Sequence, residues 1–176
     1  MRKRAILLDR DETLNHDPGY LNDPGLVKLL PGVLEGLTRL KREGFDFFVL
    51  TNQSGVARGL ISKEQLAGVN GRLAELLAEG GITIERFYIC THSDEDKCDC
   101  RKPLPGLVNA FLADYPYSPE DCFIIGDRLR DIEAAESRGI RGILLSTEAP
   151  QQGPANLIFC ARDLVDAAAH ILELED

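Results

Sequence analysis

A three-layer α/β/α fold around a mainly parallel sheet is predicted by three observations: short apolar runs, amphipathic segments between them, and alternation of the two along all 176 residues. Runs without a polar face suit strands covered on both sides, and strand, helix, strand repetition requires crossovers and hence parallel pairing. The first run is Ala5-Ile6-Leu7-Leu8. Val33, Leu34, Leu37 and Leu40 then repeat at helical spacing and stop near Gly44, where a left-handed cap is favoured. Phe45 to Leu50 is the second strand. Ser62-Lys63-Glu64-Gln65 has the Ser-x-x-Gln form of a capping box, opening a helix whose inner stripe is Leu66, Val69, Leu73, Leu76 and Leu77. Further strands fit Phe87-Tyr88-Ile89, Phe123-Ile124-Ile125, Ile143-Leu144-Leu145 and Leu157-Ile158-Phe159, with helices over 107–113, 131–137 and 164–174. No repeat, low-complexity tract or long linker breaks this pattern, so residues 1–176 read as one domain.

Composition narrows the function. With 29 acids against 20 bases and a formal net charge of −9, the chain has no sequence-independent attraction to nucleic acid or to an anionic membrane, both of which depend on clustered Lys and Arg. The charged start Met1-Arg2-Lys3-Arg4 resembles that of a signal peptide, but its apolar run is cut at Asp9, so export is not expected. A soluble cytoplasmic protein is the expectation, in which five cysteines serve as thiols or metal ligands. Nothing apolar is left over after the helices pack, which points to a monomer.

In a parallel sheet, ligands bind beyond the carboxyl ends of the strands. Those positions read Asp9-Arg10-Asp11, Thr51-Asn52-Gln53-Ser54-Gly55 and Gly126-Asp127-Arg128, with Arg101-Lys102-Pro103 in the loop after the third strand. Asp9 and Asp11 are two apart on an extended backbone and share one side of it. Two such carboxylates repel, and a hard cation such as Mg²⁺ relieves this, with Asp127 as a further ligand. Asp9 could then attack phosphorus in line to give an aspartyl-phosphate, while Asp11 protonates the leaving alcohol and later deprotonates water. Thr51 and Lys102 would hold the equatorial oxygens. A lone strand-end aspartate more often caps a turn. The ordered set at one rim favours phosphoryl chemistry.

This set, Asp-x-Asp-x-Thr, Thr-Asn, Arg-Lys-Pro and Gly-Asp, resembles the haloacid-dehalogenase-like phosphatases from about Ile6 to Leu145. The resemblance implies a Rossmann-like core, Asp9 as nucleophile, Asp11 as acid/base, Thr51 and Lys102 as motif residues, and Asp127 as acidic metal ligand, with Asp131 in support. Glu12 departs from the pattern, which usually has Gly there. Gly tolerates backbone conformations that Glu resists, and the extra charge is expected to approach the metal and alter rate and metal affinity.

Cys90, His92, Cys98 and Cys100 supply three sulfurs and an imidazole on one loop, a set suited to tetrahedral Zn²⁺ with no position left for water. The site would be structural, pinning the loop that leads into Arg101-Lys102. Cys122 and Cys160 sit in apolar runs as packing residues. The fusion of this cluster with Arg-Lys-Pro resembles the zinc-containing branch that holds heptose 1,7-bisphosphate and histidinol-phosphate phosphatases, compact enzymes without a large cap.

Two segments favour the heptose side of that branch. Asp17-Pro18-Gly19-Tyr20 lies where its members have a substrate loop, and Thr51 to Gly59 matches their second motif. The resemblance therefore implies removal of the C7 phosphate of D-glycero-D-manno-heptose 1,7-bisphosphate, with Asp17, Gly19, Tyr20, Asn52, Gln53, Ser54, Arg58, Arg101 and Arg128 toward the substrate. Histidinol-phosphate hydrolysis is the rival within the class. A catalytically weak phosphosugar-binding protein is the rival outside it, with Glu12 its one encouragement.

Overall fold

The computed structural model describes residues 3–175, and Met1, Arg2 and Asp176 lie outside the described residues. Strands and helices alternate except between β5 and β6, which a loop joins: β1 (Arg4–Leu8), α1 (Val33–Arg42), β2 (Phe45–Asn52), α2 (Lys63–Glu79), β3 (Ile84–Cys90), α3 (Gly106–Asp114), β4 (Cys122–Gly126), α4 (Leu129–Glu136), β5 (Arg141–Leu145), β6 (Leu157–Ala161) and α5 (Leu164–Glu175). Among the described residues the strands form one sheet in the order β3-β2-β1-β4-β5-β6, with every neighbouring pair parallel. The expected three-layer, Rossmann-like architecture is what forms.

Strand alternation divides the core in two. Ile6, Leu8, Phe47, Val49, Phe123 and Ile125 face α1, α2 and α5, while Ala5, Leu7, Phe48, Leu50, Cys122 and Ile124 face α3 and α4. Both faces of the central strands are thus buried, which explains why they read as unbroken apolar runs. The capping box also forms: Ser62 Oγ accepts from Gln65 N–H at 3.1 Å, and Gln65 Oε1 accepts from Ser62 N–H at 2.8 Å. Among the described residues, no helix is long and apolar enough to cross a membrane.

Three boundary differences bear on the crevice and its neighbours. Thr51 and Asn52, read as loop, belong to β2 and pair with Ile89 and Cys90. Pairing with β2 also extends β3 back to Ile84. Helix α4 starts at Leu129, because Asp131 is its third residue and its carboxylate reaches back to accept from Arg128 N–H at 3.0 Å.

The winding order of the strands reverses between β1 and β4, since chain order runs outward one way through β2 and β3 and then returns to β1's other side. This switch point opens a crevice at the strand ends. On one face of the sheet, α1 and α5 lie in close contact at Gly36, where a Cβ would stand 2.3 Å from the Leu164 carbonyl oxygen. In an unconstrained helix, Gly→Ala gains about 1 kcal/mol. Here the clash should reverse that sign. Gly36→Ala is expected to destabilise the fold by about 1–3 kcal/mol, read as a lower urea midpoint; a raised midpoint would show the helices free to separate.

Candidate active site

Parallel register sets Leu8 between Val49 and Ile125, so the residues after β1, β2 and β4 emerge side by side. Asp9 N–H extends this pairing by donating to the Ile125 carbonyl at 2.9 Å. From the loop after β3, Lys102 enters the same crevice with its side chain only 2% exposed. Its Nζ lies 2.8 Å from both Asp9 Oδ1 and Asp131 Oδ1 and donates to the Leu50 carbonyl at 2.6 Å. Burial alone would discharge the ammonium, but the Asp9 and Asp131 carboxylates outweigh it and hold the pKa above the ordinary lysine value. Burial also pushes the Asp9 carboxyl up to about 7, with Lys102 pulling it down and Asp131 pushing it further up. The Lys102 backbone is fixed by one side chain: Asn52 Oδ1 accepts from its N–H and Asn52 Nδ2 donates to its carbonyl, each at 3.0 Å.

Carboxylate oxygens of Asp9, Asp127 and Asp131 come within 4.8 Å of one another. Burial, and then Asp131, raise the Asp127 pKa as well. Gly126 makes room for this group, since a Cβ there would lie 2.4 Å from Asp131 Oδ2. Asp9 and Asp131 pair with Lys102, and Asp127 Oδ2 lies 3.1 Å from Arg128 Nε; the three carboxylates form an oxygen donor set suited to a hard divalent cation.

Asp11, expected in that set, is turned elsewhere. Arg10, fully buried, forks onto it with Nε 2.9 Å from Oδ1 and Nη2 3.0 Å from Oδ2. Asn15 Nδ2 donates to Oδ1 at 3.1 Å and Gln53 Nε2 to Oδ2 at 2.8 Å. The side chains that gather are therefore Asp9, Asp127 and Asp131, because these donors hold the Asp11 carboxylate outside that group. Arg10 escaped the sequence reading, although a cation between two aspartates was a signal; Asn70, which accepts from Arg10 Nη1 at 2.9 Å, had none.

A cavity of about 260 Å³ opens over these groups. Asp17, Gly19, Tyr20, Asn52, Gln53, Ser54 and Arg128 line it, as expected of substrate-facing residues, and so does Arg130, which the sequence reading passed over. Thr51 does not. It is buried, and its hydroxyl accepts from Gln53 Nε2 at 2.9 Å. Arg58 and Arg101 also turn away, because Asp94 draws both: Arg101 Nε is 2.6 Å from its Oδ1 and Arg58 Nη2 is 3.9 Å from its Oδ2. Asp17 uses its Oδ1 to accept from Gly19 and Leu21 N–H at 3.0 and 3.3 Å. Glu12 adopts φ 55°, the left-handed region that glycine enters freely. Its carboxylate stands outside the Asp9, Asp127 and Asp131 group. The expected approach of that charge to the metal is not seen, because Oε1 accepts from Asp17 N–H at 2.7 Å and lies 3.0 Å from His16 Nδ1.

The four cysteine and histidine residues also converge. Cys90 Sγ is 3.6 Å from His92 Nδ1 and 3.7 Å from Cys98 Sγ, and His92 Nδ1 is 3.3 Å from Cys100 Sγ. A tetrahedral zinc with ordinary bond lengths would separate two sulfurs by about 3.7 Å and sulfur from nitrogen by about 3.5 Å. The donors fit that ion. Outside the cluster, Cys122 is buried and its thiol donates to the Ser118 carbonyl at 3.4 Å, while Cys160 is half-buried in β6.

Residues 99–169 match the HAD-hydrolase-like family model. The chain is 36% identical over 149 residues, 81% of each protein, to the D-glycero-beta-D-manno-heptose-1,7-bisphosphate 7-phosphatase of Pasteurella multocida. It is 34% identical over 157 residues, 85% of each, to the protein of that name from Haemophilus influenzae. Among solved structures, the D,D-heptose 1,7-bisphosphate phosphatase of B. bronchiseptica, complexed with magnesium and phosphate, superposes with a TM-score of 0.85 at 30% identity, over 97% of this chain and 99% of that one.

The Asn52 clamp carries a test. Asn52→Ala removes both hydrogen bonds to the Lys102 backbone, so phosphate-ester turnover should fall about tenfold as Lys102 loses its place, a loss of about 1.4 kcal/mol in transition-state stabilisation. Unchanged turnover would show that the Lys102 ion pairs suffice.

Proposed function

The chain belongs to the haloacid-dehalogenase-like phosphatases, and from that premise we propose that it removes the C7 phosphate of D-glycero-β-D-manno-heptose 1,7-bisphosphate. The observation that carries the chemistry is Asp9 joined to Lys102, and through it to Asp131, at the switch point, with Asp11 fixed by Arg10, Asn15 and Gln53 in the same cavity. The substrate rests on the names of the relatives and on the loop from Asp17 to Tyr20 at the cavity.

In this reading Asp9 attacks phosphorus in line and the bond to the C7 oxygen breaks. Asp11, in its protonated form with the Arg10 fork opened, gives its proton to the leaving oxygen, then takes one from the water that attacks the aspartyl-phosphate, whose bond to Asp9 breaks to free inorganic phosphate. Lys102 meets the equatorial phosphoryl oxygens, and Thr51 orients the Gln53 amide above it. Arg128 and Arg130 face the phosphate that is retained. Asp9, Asp127 and Asp131 would hold Mg²⁺, which supplies positive charge against the phosphoryl group when bound. Cys90, His92, Cys98 and Cys100 would hold Zn²⁺, which supplies rigidity to the loop carrying Lys102. The substrate is a small phosphorylated molecule, and the chain acts as a single-domain cytoplasmic monomer.

Three outcomes are expected. Asp9→Asn should lower phosphate release by at least about 10³-fold, as loss of a covalent nucleophile does; ligand binding with no turnover in the unaltered protein would instead favour a phosphosugar-binding role. The value of kcat/KM on the β-bisphosphate should exceed that on histidinol phosphate by about 100-fold or more, and the reverse order would reassign the substrate. Elemental analysis should find about one zinc per chain, whereas zinc-free protein with full activity would remove the metal from the account of the loop.

A further inference from the structure

Glu12 occupies a backbone position that favours glycine, and its carboxylate does not join the acidic cluster. Residues held at positive φ without being glycine cost free energy and persist where the surroundings fix them. Among the described residues these are Glu12, Tyr20 and Lys97. Glu12 and Tyr20 both border the active-site cavity. They are also joined by a chain of hydrogen bonds. Glu12 Oε1 accepts from Asp17 N–H at 2.7 Å, and Asp17 Oδ1 accepts in turn from Gly19 and Leu21 N–H at 3.0 and 3.3 Å. Those two amides bracket Tyr20, whose ring crosses Gly55 so closely that a Cβ there would sit 2.8 Å from Tyr20 Cδ1. At the other end, Glu12 N–H donates to the Asn15 carbonyl at 2.7 Å, and Asn15 Nδ2 holds Asp11.

We propose that Glu12 is a positioning residue that clasps the loop over 16–21 and sets the Tyr20 wall of the cavity, so that it governs recognition of the sugar portion of the substrate and not the bond-breaking step. This rests on the phosphatase reading above. The clasp needs an acceptor at Oε1, because what it holds is an amide N–H. The negative charge itself is dispensable, which separates this role from one in proton transfer or metal binding. A glycine at the position keeps the backbone conformation and removes the acceptor together with its contact to His16 Nδ1, and Glu12→Gln keeps an oxygen for both. The pair Glu12→Gly and Glu12→Gln therefore isolates the clasp from the strain.

Hydrogen exchange on the ligand-free protein tests the clasp, and steady-state kinetics on the β-bisphosphate and on p-nitrophenyl phosphate test its consequence. Glu12→Gly should speed exchange of the Asp17 and Gly19 amides by about tenfold or more, a loss of about 1.4 kcal/mol of local protection. It should raise KM for the bisphosphate by about tenfold with kcat within about twofold, and leave kcat/KM for p-nitrophenyl phosphate, which lacks the sugar, within about twofold. Glu12→Gln should restore both exchange and KM. Unchanged exchange in Glu12→Gly would overturn the clasp, and faster exchange with unchanged KM would overturn its role in recognition. A fall in kcat on both esters would place Glu12 in the chemistry instead. No bisphosphate turnover by the unaltered protein would overturn the proposed substrate, with the exchange result still deciding the clasp.

Discussion

A lysine ammonium taken out of water must be met by opposite charge, and the active-site end of this fold is arranged around that requirement. Truncating one partner of a buried ion pair typically costs about 3–5 kcal/mol, because the other charge is left uncompensated. Lys102 meets Asp9 and Asp131 at equal distance, and each of these ties it to a different element: Asp9 to the end of β1, Asp131 to the first turn of α4. The same Asp131 caps α4 through Arg128 N–H, so the helix start and the ion pair depend on one carboxylate. Gly126 is required because any side chain there would occupy the space Asp131 fills. The lysine cannot be delivered by the sheet, since it lies in the connection after β3. Asn52 in β2 and the cysteine cluster hold that connection from both sides.

Much of this was legible in the sequence because burial on both faces writes strands as apolar runs, and because the rim residues follow those runs directly. Asp9, Lys102 and Asp127 could be placed together for that reason. Which way a side chain turns was not legible. Asp11 follows Asp9 by two residues, yet Arg10, Asn15 and Gln53 draw its carboxylate away from the acidic group. Arg58 and Arg101 lie near the site in sequence, yet Asp94 holds both. Each of these outcomes is set by a partner distant in the chain or hidden by the pattern itself, as Arg10 was between two aspartates.

The acid excess of the chain takes on a different meaning once its distribution is known. Asp9, Asp127 and Asp131 gather at one end of the sheet with Lys102 among them, while Arg128 and Arg130 border the cavity above. A protein of net charge −9 can therefore present local cations to an anionic ester. Glu12 belongs to the same economy of position. Its carboxylate is spent on an amide N–H and lies outside the acidic cluster, so an additional acid is tolerated next to a phosphate-binding cavity.

The central claim is that Asp9, ion-paired with Lys102, is the group that accepts the phosphoryl. Acid quenching during turnover, followed by peptide mass spectrometry, tests it most directly. A phosphoryl group on the peptide containing Asp9, formed and lost at rates compatible with turnover, is the predicted result. Full turnover with no phosphorylated Asp9, or with the phosphoryl group on another residue, would contradict it.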